Sequence, residues 1–209
     1  MIKDKIYNLL AMFETNTYLV WDTETKEAIL IDPAAPSENL KQDIIDMNLR
    51  MTNIFNTHGH GDHIGGNEFF HRELKCPIGI HNFDAEMLLN STLNLSSYMD
   101  YFVDSPAATL LLNDFYEFYL GDNKVEIFHT PGHTKGGIVI YMKPYLFTGD
   151  TIFLMDVGRT DLPGGNFSQL TNSIKKKIFT LPDDTIILPG HGPASTIGNE
   201  KTENPHVKN

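Results

Sequence analysis

Eight residues of the sequence, 56 to 63, carry three imidazoles and one carboxylate. They read NTHGHGDH, and their metal-competent side chains are those of His58, His60, Asp62 and His63. His58 and His60 are two residues apart and can point the same way from an extended segment. Asp62 and His63 begin a predicted helix and are displaced from that pair, so the four side chains do not readily converge on one tetrahedral ion. We therefore interpret the stretch as part of a larger site.

Three further segments place a metal-competent side chain in a turn that follows a predicted strand. They are TPGHT around His133, TGDT around Asp150 and PGHGP around His191. Loops held by a rigid sheet are where functional sites are usually built. A polar turn can hold one histidine by hydrogen bonds alone, but unrelated turns have no reason to reproduce a ligand set together. The remaining histidines lack such neighbours and are assigned to helix surface, strand or tail: His71, His81, His129 and His206.

The five histidines and two aspartates of these segments exceed what one zinc ion uses. A structural zinc takes four protein ligands, and a catalytic zinc takes about three plus a water molecule. Seven ligands suit two ions if one carboxylate bridges them. Imidazole and carboxylate without thiolate suit zinc, but also iron or manganese, so the ligand set leaves the metal open. The sequence predicts two divalent metal ions, with zinc as the expected metal and iron or manganese as alternatives.

The elements that must position these side chains alternate along the chain. Residue patterns predict strands over 17–21, 28–31, 52–56, 78–81, 124–129, 137–142, 145–148 and 185–188. Helices are predicted from the cap at Ser37 to about Met47, from about Asp62 to Leu74, and from Ser168 onward. Strand pairs followed by alternating strands and helices predict an α/β fold of mixed sheets covered by helices.

One segment resists a simple interpretation. Residues 82–120 are rich in Leu, Phe, Tyr and Met, and Gly121-Asp122-Asn123 predicts a hairpin turn after them. We interpret the segment as an insertion in a single domain spanning 1–209. It would serve as a lid, as a subunit contact, or as an insertion that packs on the core.

The composition limits the classes of partner that are expected. The 209 residues carry a formal charge of -11, which disfavours nucleic acid and anionic membrane surfaces as partners. The single cysteine, Cys76, excludes an internal disulfide and fits a reducing cytoplasm. No apolar run reaches membrane-spanning length, and no signal peptide is recognised. We expect a cytoplasmic protein whose partner is a small molecule; its oligomeric state is left open.

Taken together, the motifs resemble those of the metallo-β-lactamase superfamily. The shared segments are HGHGDH at 58–63, PGHT at 131–134, GD at 149–150 and PGHG at 189–192. Within the superfamily, GRTDLPGG at 158–165 and Asn16 before Tyr18-Leu19-Val20 resemble the glyoxalase II-like hydrolases, particularly their short bacterial members. The resemblance covers nearly the whole chain. It implies a four-layer αββα sandwich with the metals at one edge between the sheets.

The resemblance also implies a role for each candidate ligand. The first metal would be held by His58, His60 and His133, and the second by Asp62, His63 and His191. Asp150 would bridge both metals. Asp32 matches a position that supports the ligands through hydrogen bonds, and such partners orient imidazoles and tune metal affinity.

The implied activity is hydrolysis of a thioester similar to S-lactoylglutathione, or of a related acyl bond. A hydroxide that bridges the two metals would attack the carbonyl, with Asp62 and Asp150 as the catalytic carboxylates. We expect no C-terminal glutathione-binding helical domain, because the chain ends at Asn209, soon after His191. Arg159 and Lys143 are candidate anchors for an anionic substrate, and so is Lys135. The alternative for each is a solvated or salt-bridge role.

Other functions on the same fold stay open. A persulfide dioxygenase shares the GRTD pattern but uses one iron, and PGHGP here resembles the hydrolase form. A lactonase or phosphodiesterase would use the same seven ligands. Asp150 stands where the common dizinc β-lactamases have cysteine, and His60 stands where oxygen-reducing diiron proteins have an acidic residue, so both are disfavoured. A non-catalytic metal-binding scaffold is the alternative of a different class.

Overall fold

The structure, a computed structural model, describes residues 1–10, 14–98, 102–103 and 105–207. The first of its two large sheets contains, in this order, β1 (Ile2–Leu10), β2 (Thr15–Asp22), β3 (Glu27–Ile31), β4 (Arg50–Phe55), β5 (Ile78–His81) and β6 (Leu110–Leu112). Antiparallel pairing joins β1, β2 and β3, and parallel pairing joins β3 to β6.

The second sheet begins with β7 (Tyr116–Leu120), β8 (Asn123–His129), β9 (Ile138–Met142) and β10 (Tyr145–Gly149). A small hairpin of β11 (Ile152–Phe153) and β12 (Asp156–Val157) follows. The sheet is completed by β13 (Ile186–Pro189), which is parallel to β10, and β14 (Ser195–Thr196). Its strand order is β14-β13-β10-β9-β8-β7.

The helices lie outside the two sheets. They are α1 (Glu38–Asp46), α2 (Gly61–Ile64), α3 (Asn67–Leu74), α4 (Phe167–Ser173) and α5 (Ile197–Glu203). Short 3-10 helices span Ala85–Leu89 and Ser96–Tyr98, and α4 continues as a π-helix over Ile174–Ile178. The predicted cap of α1 is confirmed, because the Ser37 side chain accepts a hydrogen bond from the amide of Leu40. Among the described residues, no helix has the length and hydrophobicity needed to cross a bilayer.

Alternation along the strands divides the core into three layers of side chains. On β3, Ile29 and Ile31 point between the sheets, whereas Ala28 and Leu30 point toward the helices over the first sheet. A third cluster, which includes Leu170, packs α4 and α5 on the second sheet. Each large side chain that is fully buried in this way contributes about 1.5–3 kcal/mol. The predicted four-layer αββα sandwich is confirmed.

The helix predicted from Asp62 to Leu74 is two helices in the structure. Gly65 and Gly66 separate them and lie against the segment after β3, where the Gly66 amide donates to the Pro33 carbonyl at 2.7 Å. A Cβ atom on Gly65 would be 2.4 Å from the Ala34 carbonyl oxygen. This close backbone approach ends α2 after one turn, and α2 carries Asp62 and His63.

The segment 82–120 contributes to both sheets. Its last residues form β6 at the edge of the first sheet and β7 at the edge of the second. The predicted hairpin turn is confirmed, because Leu120 pairs with Asn123 across Gly121 and Asp122. Earlier residues of the segment support α2, where the Asn94 carbonyl accepts from the Gly61 amide at 2.8 Å. This segment therefore joins the two sheets and also packs on the histidine-rich loop.

Candidate metal centre

The candidate ligands lie at one edge of the sandwich, because each ligand segment follows the carboxyl end of a strand. The loop after β4 carries His58 and His60, and the loop after β8 carries His133. Asp150 and His191 follow β10 and β13, which are parallel neighbours, so their carboxyl ends meet. All seven predicted ligands are brought together here.

The first cluster consists of His58, His60 and His133. One ligand nitrogen from each lies within 4.8 Å of the other two. The Nε2 atom of His133 is 3.0 Å from Nδ1 of His60. His133 donates through Nδ1 to the carbonyl of Arg159 at 2.8 Å, which leaves its Nε2 free to face the cluster. Three imidazoles in this arrangement would offer three nitrogen ligands to one cation.

The second cluster consists of Asp62, His63 and His191, whose ligand atoms meet the same distance limit of 4.8 Å. Nε2 of His63 is 3.2 Å from Nε2 of His191. Oδ2 of Asp62 is 3.4 Å from Nε2 of His191 and 3.7 Å from Nε2 of His63. The cluster therefore offers two nitrogens and one oxygen to a second cation.

The carboxylate of Asp150 lies between the two clusters. Its Oδ2 is 3.6 Å from Nε2 of His133, in the first cluster. Its Oδ1 is 3.4 Å from Nε2 of His63 and 3.5 Å from Nε2 of His191, in the second. One oxygen thus faces each cluster, which is the placement that a bridging ligand needs.

The polar atoms of the site fit a pair of cations. Among the described residues, Nε2 of His58 and Oδ1 of Asp150 are the buried side-chain atoms without a hydrogen-bond partner. An unpaired buried acceptor costs about 1–3 kcal/mol, so such atoms call for a ligand. Both atoms point into the clusters, and the donor set of imidazole and carboxylate suits zinc, iron or manganese. The residues therefore fit the metals that the sequence predicts.

The pKa values of the histidines in the two clusters also fit the binding of cations. Burial lowers the pKa of His58 well below its usual value, and burial together with His133 lowers the pKa of His60 to about 3. Both imidazoles are then neutral, the form that binds a metal. At His63, burial is outweighed by the carboxylates of Asp150, Asp62 and Asp32, which raise its pKa to about 10. The second cluster is thus a negative environment that stabilises a positive charge.

Asp32 supports the second cluster from behind. It lies just after β3 and has a positive φ of 48°, a backbone conformation that aspartate and asparagine tolerate better than most residues. Its carboxylate accepts from the Thr57 amide at 2.7 Å and from the Thr57 hydroxyl at 2.6 Å. It also accepts from Nδ1 of His63 at 2.9 Å, so Nε2 of His63 faces the cluster. The sequence predicted this supporting role from resemblance, and the contacts show how it would act.

Replacing Asp32 by asparagine should weaken metal binding at the second cluster by about 10–100-fold, since such partners tune ligand basicity and orientation. Asparagine tolerates the positive φ but cannot accept all three hydrogen bonds. Metal titration of the variant measures the effect, with Asp122→Asn in the exposed β7–β8 turn as the matched control. Unchanged affinity at both sites would contradict the role.

The His191 loop is held by β2. The Asn16 side chain donates to the carbonyls of Pro189 and Gly192 at 3.0 and 2.9 Å. The Tyr18 hydroxyl donates to Pro189 at 2.6 Å. These contacts explain why Asn16 and Tyr18 belong to the motif that the sequence singled out. Gly190 is required for another reason, because a Cβ atom there would lie 2.4 Å from Oδ1 of Asp150.

Asp84 is a functional candidate that the sequence reasoning missed. It is buried and follows β5, so the strand-end rule that found the other carboxylates could have found it. Its carboxylate accepts from the Thr134 hydroxyl at 2.6 Å, the Gly136 amide at 2.7 Å and the Gly59 amide at 3.3 Å. Asp84 therefore joins the loop of His58 and His60 to the loop of His133.

Replacing Asp84 by alanine should weaken binding of the first metal by about 10–100-fold and leave the second site nearly unchanged, because both loops of the first cluster lose a shared acceptor. Metal titration and a thermal melt measure the two effects separately. The control is Glu86→Ala, an exposed acidic residue on the same segment. Equal loss at both sites would show that Asp84 acts on the fold as a whole.

The three candidate substrate anchors differ in their position relative to the metal centre. Arg159 lines a cavity of about 1110 Å³ that opens over the ligands. Its guanidinium binds the Asp161 carboxylate through two hydrogen bonds of 2.8 Å. Lys143 lies in the β9–β10 turn, at the end of β10 opposite Asp150, and does not line this cavity. Lys135 lines a smaller neighbouring cavity of about 220 Å³. The structure brings Arg159 to the site and not the two lysines.

Comparison with known proteins identifies the family. The model of the metallo-β-lactamase superfamily matches residues 11–191. This chain belongs to that superfamily. The resemblance that the motifs indicated is confirmed. This chain is 35% identical over 207 residues to the hydroxyacylglutathione hydrolase GloC of Haemophilus influenzae, with 93% of each chain covered.

Two solved structures are also similar to this superfamily member. A B3 metallo-β-lactamase, BLEG-1, has a TM-score of 0.93 and 34% identity, covering 99% of this chain and 100% of that one. TTHA1623 in a di-iron-bound form has a TM-score of 0.81 and 30% identity, covering 91% of this chain and 94% of that one. The relatives support a metallo-hydrolase that binds divalent metals.

Proposed function

We propose that this superfamily member is a dinuclear metal-dependent hydrolase that cleaves thioesters. The observation that carries the proposal is the carboxylate of Asp150, which directs one oxygen to each of two ligand clusters beneath an open cavity. The similarity to a hydroxyacylglutathione hydrolase supports an acyl thioester as the substrate. Zinc is the proposed metal, with iron or manganese as alternatives.

Two bound divalent cations would lower the pKa of a shared water molecule and polarise the acyl carbonyl. The chain's own contribution is to hold the ligands and to manage the proton. Burial opposes ionisation of Asp62, but His63 and His191 outweigh burial and hold its pKa well below the usual range. The Asp62 carboxylate is therefore ionised at neutral pH and can orient the attacking water or accept its proton.

The leaving group explains why little else is required. A thiolate departs readily without a strong general acid. Among the described residues that line the cavity, the charged side chains outside the two clusters and Asp150 are those of Asp156 and Arg159. The Asp156 side chain accepts from the Val157 amide at 2.8 Å and pairs with His206 at 3.2 Å. Acyl transfer to water is thus assigned to the ligand clusters and not to a separate acid on the cavity wall.

The test is metal analysis combined with a substrate panel. The protein is stripped with a chelator and reloaded separately with zinc, iron or manganese, and metal per chain is measured. S-lactoylglutathione, a plain acyl thioester, a lactone, a phosphodiester and glutathione persulfide are then assayed side by side. We expect two metals per chain and the highest kcat/KM for a thioester. One iron per chain with oxygen consumption would instead identify a persulfide dioxygenase.

A second candidate function is β-lactam hydrolysis. The observation that favours it is the likeness to a B3 metallo-β-lactamase over the whole length of both chains. An amide nitrogen is a poorer leaving group than a thiolate and needs a proton, which Asp62 would have to return. A chromogenic cephalosporin added to the panel decides between the two substrates. Two bound metals without turnover of any substrate would favour a non-catalytic scaffold.

A further inference from the structure

The cavity above the metal centre has largely apolar walls. Leu95 and Tyr98 come from the segment 82–120, Phe153 and Leu154 from the β11–β12 hairpin, and Leu162 and Pro163 from the loop before α4. Tyr98 and Leu154 are 76% and 40% exposed, so they offer apolar surface that a ligand can cover. Covering such surface is favourable at roughly 25 cal/mol per Å².

Positive charge is scarce on the same walls. Arg159 is the one lysine or arginine among the described residues that line the cavity. Its guanidinium already forms two hydrogen bonds with Asp161, so its charge is offset by a neighbour. Asp156 adds a carboxylate to the wall. Outside the metal ligands, the lining charges therefore cancel.

The sequence extends this observation beyond the lining residues. Between Cys76 and Asn123 there is no lysine or arginine, although the stretch contains Asp84, Glu86, Asp100, Asp104, Asp114, Glu117 and Asp122. The segment that supplies Leu95 and Tyr98 to the cavity therefore contributes no basic side chain. The chain as a whole has a formal charge of -11. These side chains therefore give the cavity wall no net attraction for an anionic group beyond that of the metals.

A glutathione thioester has two carboxylates and one ammonium group in its thiol half. Binding such a group tightly requires cationic or hydrogen-bonding partners for the carboxylates, because burying an unpaired charge is costly. The described cavity offers a single guanidinium that is already paired. It offers much more to an alkyl or aryl group, which needs only apolar contact.

We propose that this site selects thioesters in which the groups flanking the reacting carbonyl are uncharged and apolar, such as a medium-length acyl chain on a small neutral thiol. This inference rests on the proposed thioester hydrolysis and specifies its substrate class. The cavity of about 1110 Å³ is larger than a lactoyl group requires. Leu154 and Tyr98 are the residues that determine the preference.

The experiment compares matched esters on the metal-loaded protein. S-lactoyl-N-acetylcysteamine and S-lactoylglutathione share the acyl group and the thioester bond, and they differ in the charge of the thiol half. S-hexanoyl-N-acetylcysteamine then tests the apolar acyl chain. We expect kcat/KM to be at least about tenfold higher for the neutral lactoyl ester than for the glutathione ester, and higher again for the hexanoyl ester. Equal or lower values for the neutral ester would overturn the inference.

Variants of Leu154 test whether this side chain of the cavity wall determines the substrate preference. Leu154→Ala should reduce kcat/KM for the hexanoyl ester by about three- to tenfold, because each buried methylene is worth about fourfold in binding. The same change should affect the lactoyl esters little. Leu154→Lys should shift the ratio toward the glutathione ester by adding a cation. Leu89→Ala, on an exposed leucine outside the cavity, is the control.

The outcomes separate this inference from the proposed function. Metal per chain is measured for every variant, so a lost preference is distinguished from a lost metal. Turnover of S-lactoylglutathione ahead of the neutral esters would preserve thioester hydrolysis and refute the apolar selectivity. If the protein with two bound metals hydrolyses none of the esters, the proposed function fails and the inference fails with it.

Discussion

Replacing Asp150 by alanine will abolish hydrolysis and lower the metal occupancy of both sites. Asp150 directs Oδ2 to His133 at 3.6 Å and Oδ1 to His63 at 3.4 Å, so its removal takes one ligand from each cluster. Two cations held in place stabilise transition-state charge by several kcal/mol, which corresponds to a loss on the order of a thousandfold or more in kcat/KM. Elemental analysis of the purified variant measures the metals, and a thioester assay measures the rate.

Two further variants make the Asp150 result interpretable. Asp150→Asn keeps the shape of the side chain but removes its charge, so it should also lose metal from both sites. Asp156→Asn changes a carboxylate of the same cavity that lies outside the ligand clusters, and it should retain both metals. Two tightly bound metals in Asp150→Ala would refute the bridging assignment.

Removing His63 and removing His60 should empty different sites. His63 belongs to the cluster with Asp62 and His191, whereas His60 lies 3.0 Å from His133 in the other cluster. His63→Ala should therefore deplete mainly the second site, as should Asp62→Ala, and His60→Ala should deplete mainly the first. Each variant should bind one metal tightly. Its kcat/KM should fall at least about a hundredfold, because only one cation remains to polarise the substrate carbonyl.

The measurement for these variants is a metal titration that resolves two binding steps in the unaltered protein and one in each variant. His206→Ala removes an imidazole from the C-terminal region, outside both clusters, and should leave two steps. Identical titration curves for His60→Ala and His63→Ala would contradict two separate clusters. A thermal melt of each protein distinguishes loss of a ligand from loss of the fold, since bound metal stabilises the native state by mass action.

The segment 82–120 connects the metal centre to the rest of the fold. Asp84 accepts hydrogen bonds from both loops of the first cluster, and Asn94 accepts from the amide that begins α2. A Cβ atom on Gly59 would lie 2.5 Å from Cβ of Met87, so the histidine loop and this segment pack closely. Leu95 and Tyr98 from the same segment line the substrate cavity. One stretch of chain thus positions ligands and contributes to the proposed selectivity.

Residue types and local patterns were enough to identify the ligand-bearing segments and the fold class. Ligand-bearing segments were recognisable because each follows an apolar run and combines histidine or aspartate with glycine or proline. The alternation of strands and helices predicted mixed sheets covered by helices, and the resemblance to the superfamily implied the four-layer arrangement. His58, His133, Asp150 and His191 were identified in this way, although they are far apart along the chain.

The resemblance assigned these residues to two metals, but the contacts that bring them together are visible only in the folded chain. The edge strand β1, the break between α2 and α3, and the assignment of β6 and β7 to different sheets depend on contacts between distant segments. The same is true of Asp84, whose partners Gly59 and Gly136 lie on two other loops. Lys143 was an anchor candidate by residue type, but β10 places it at the end opposite Asp150. Residue types and local patterns are properties of the chain, whereas distances between ligands arise from strand pairing and sheet packing, which no local pattern encodes.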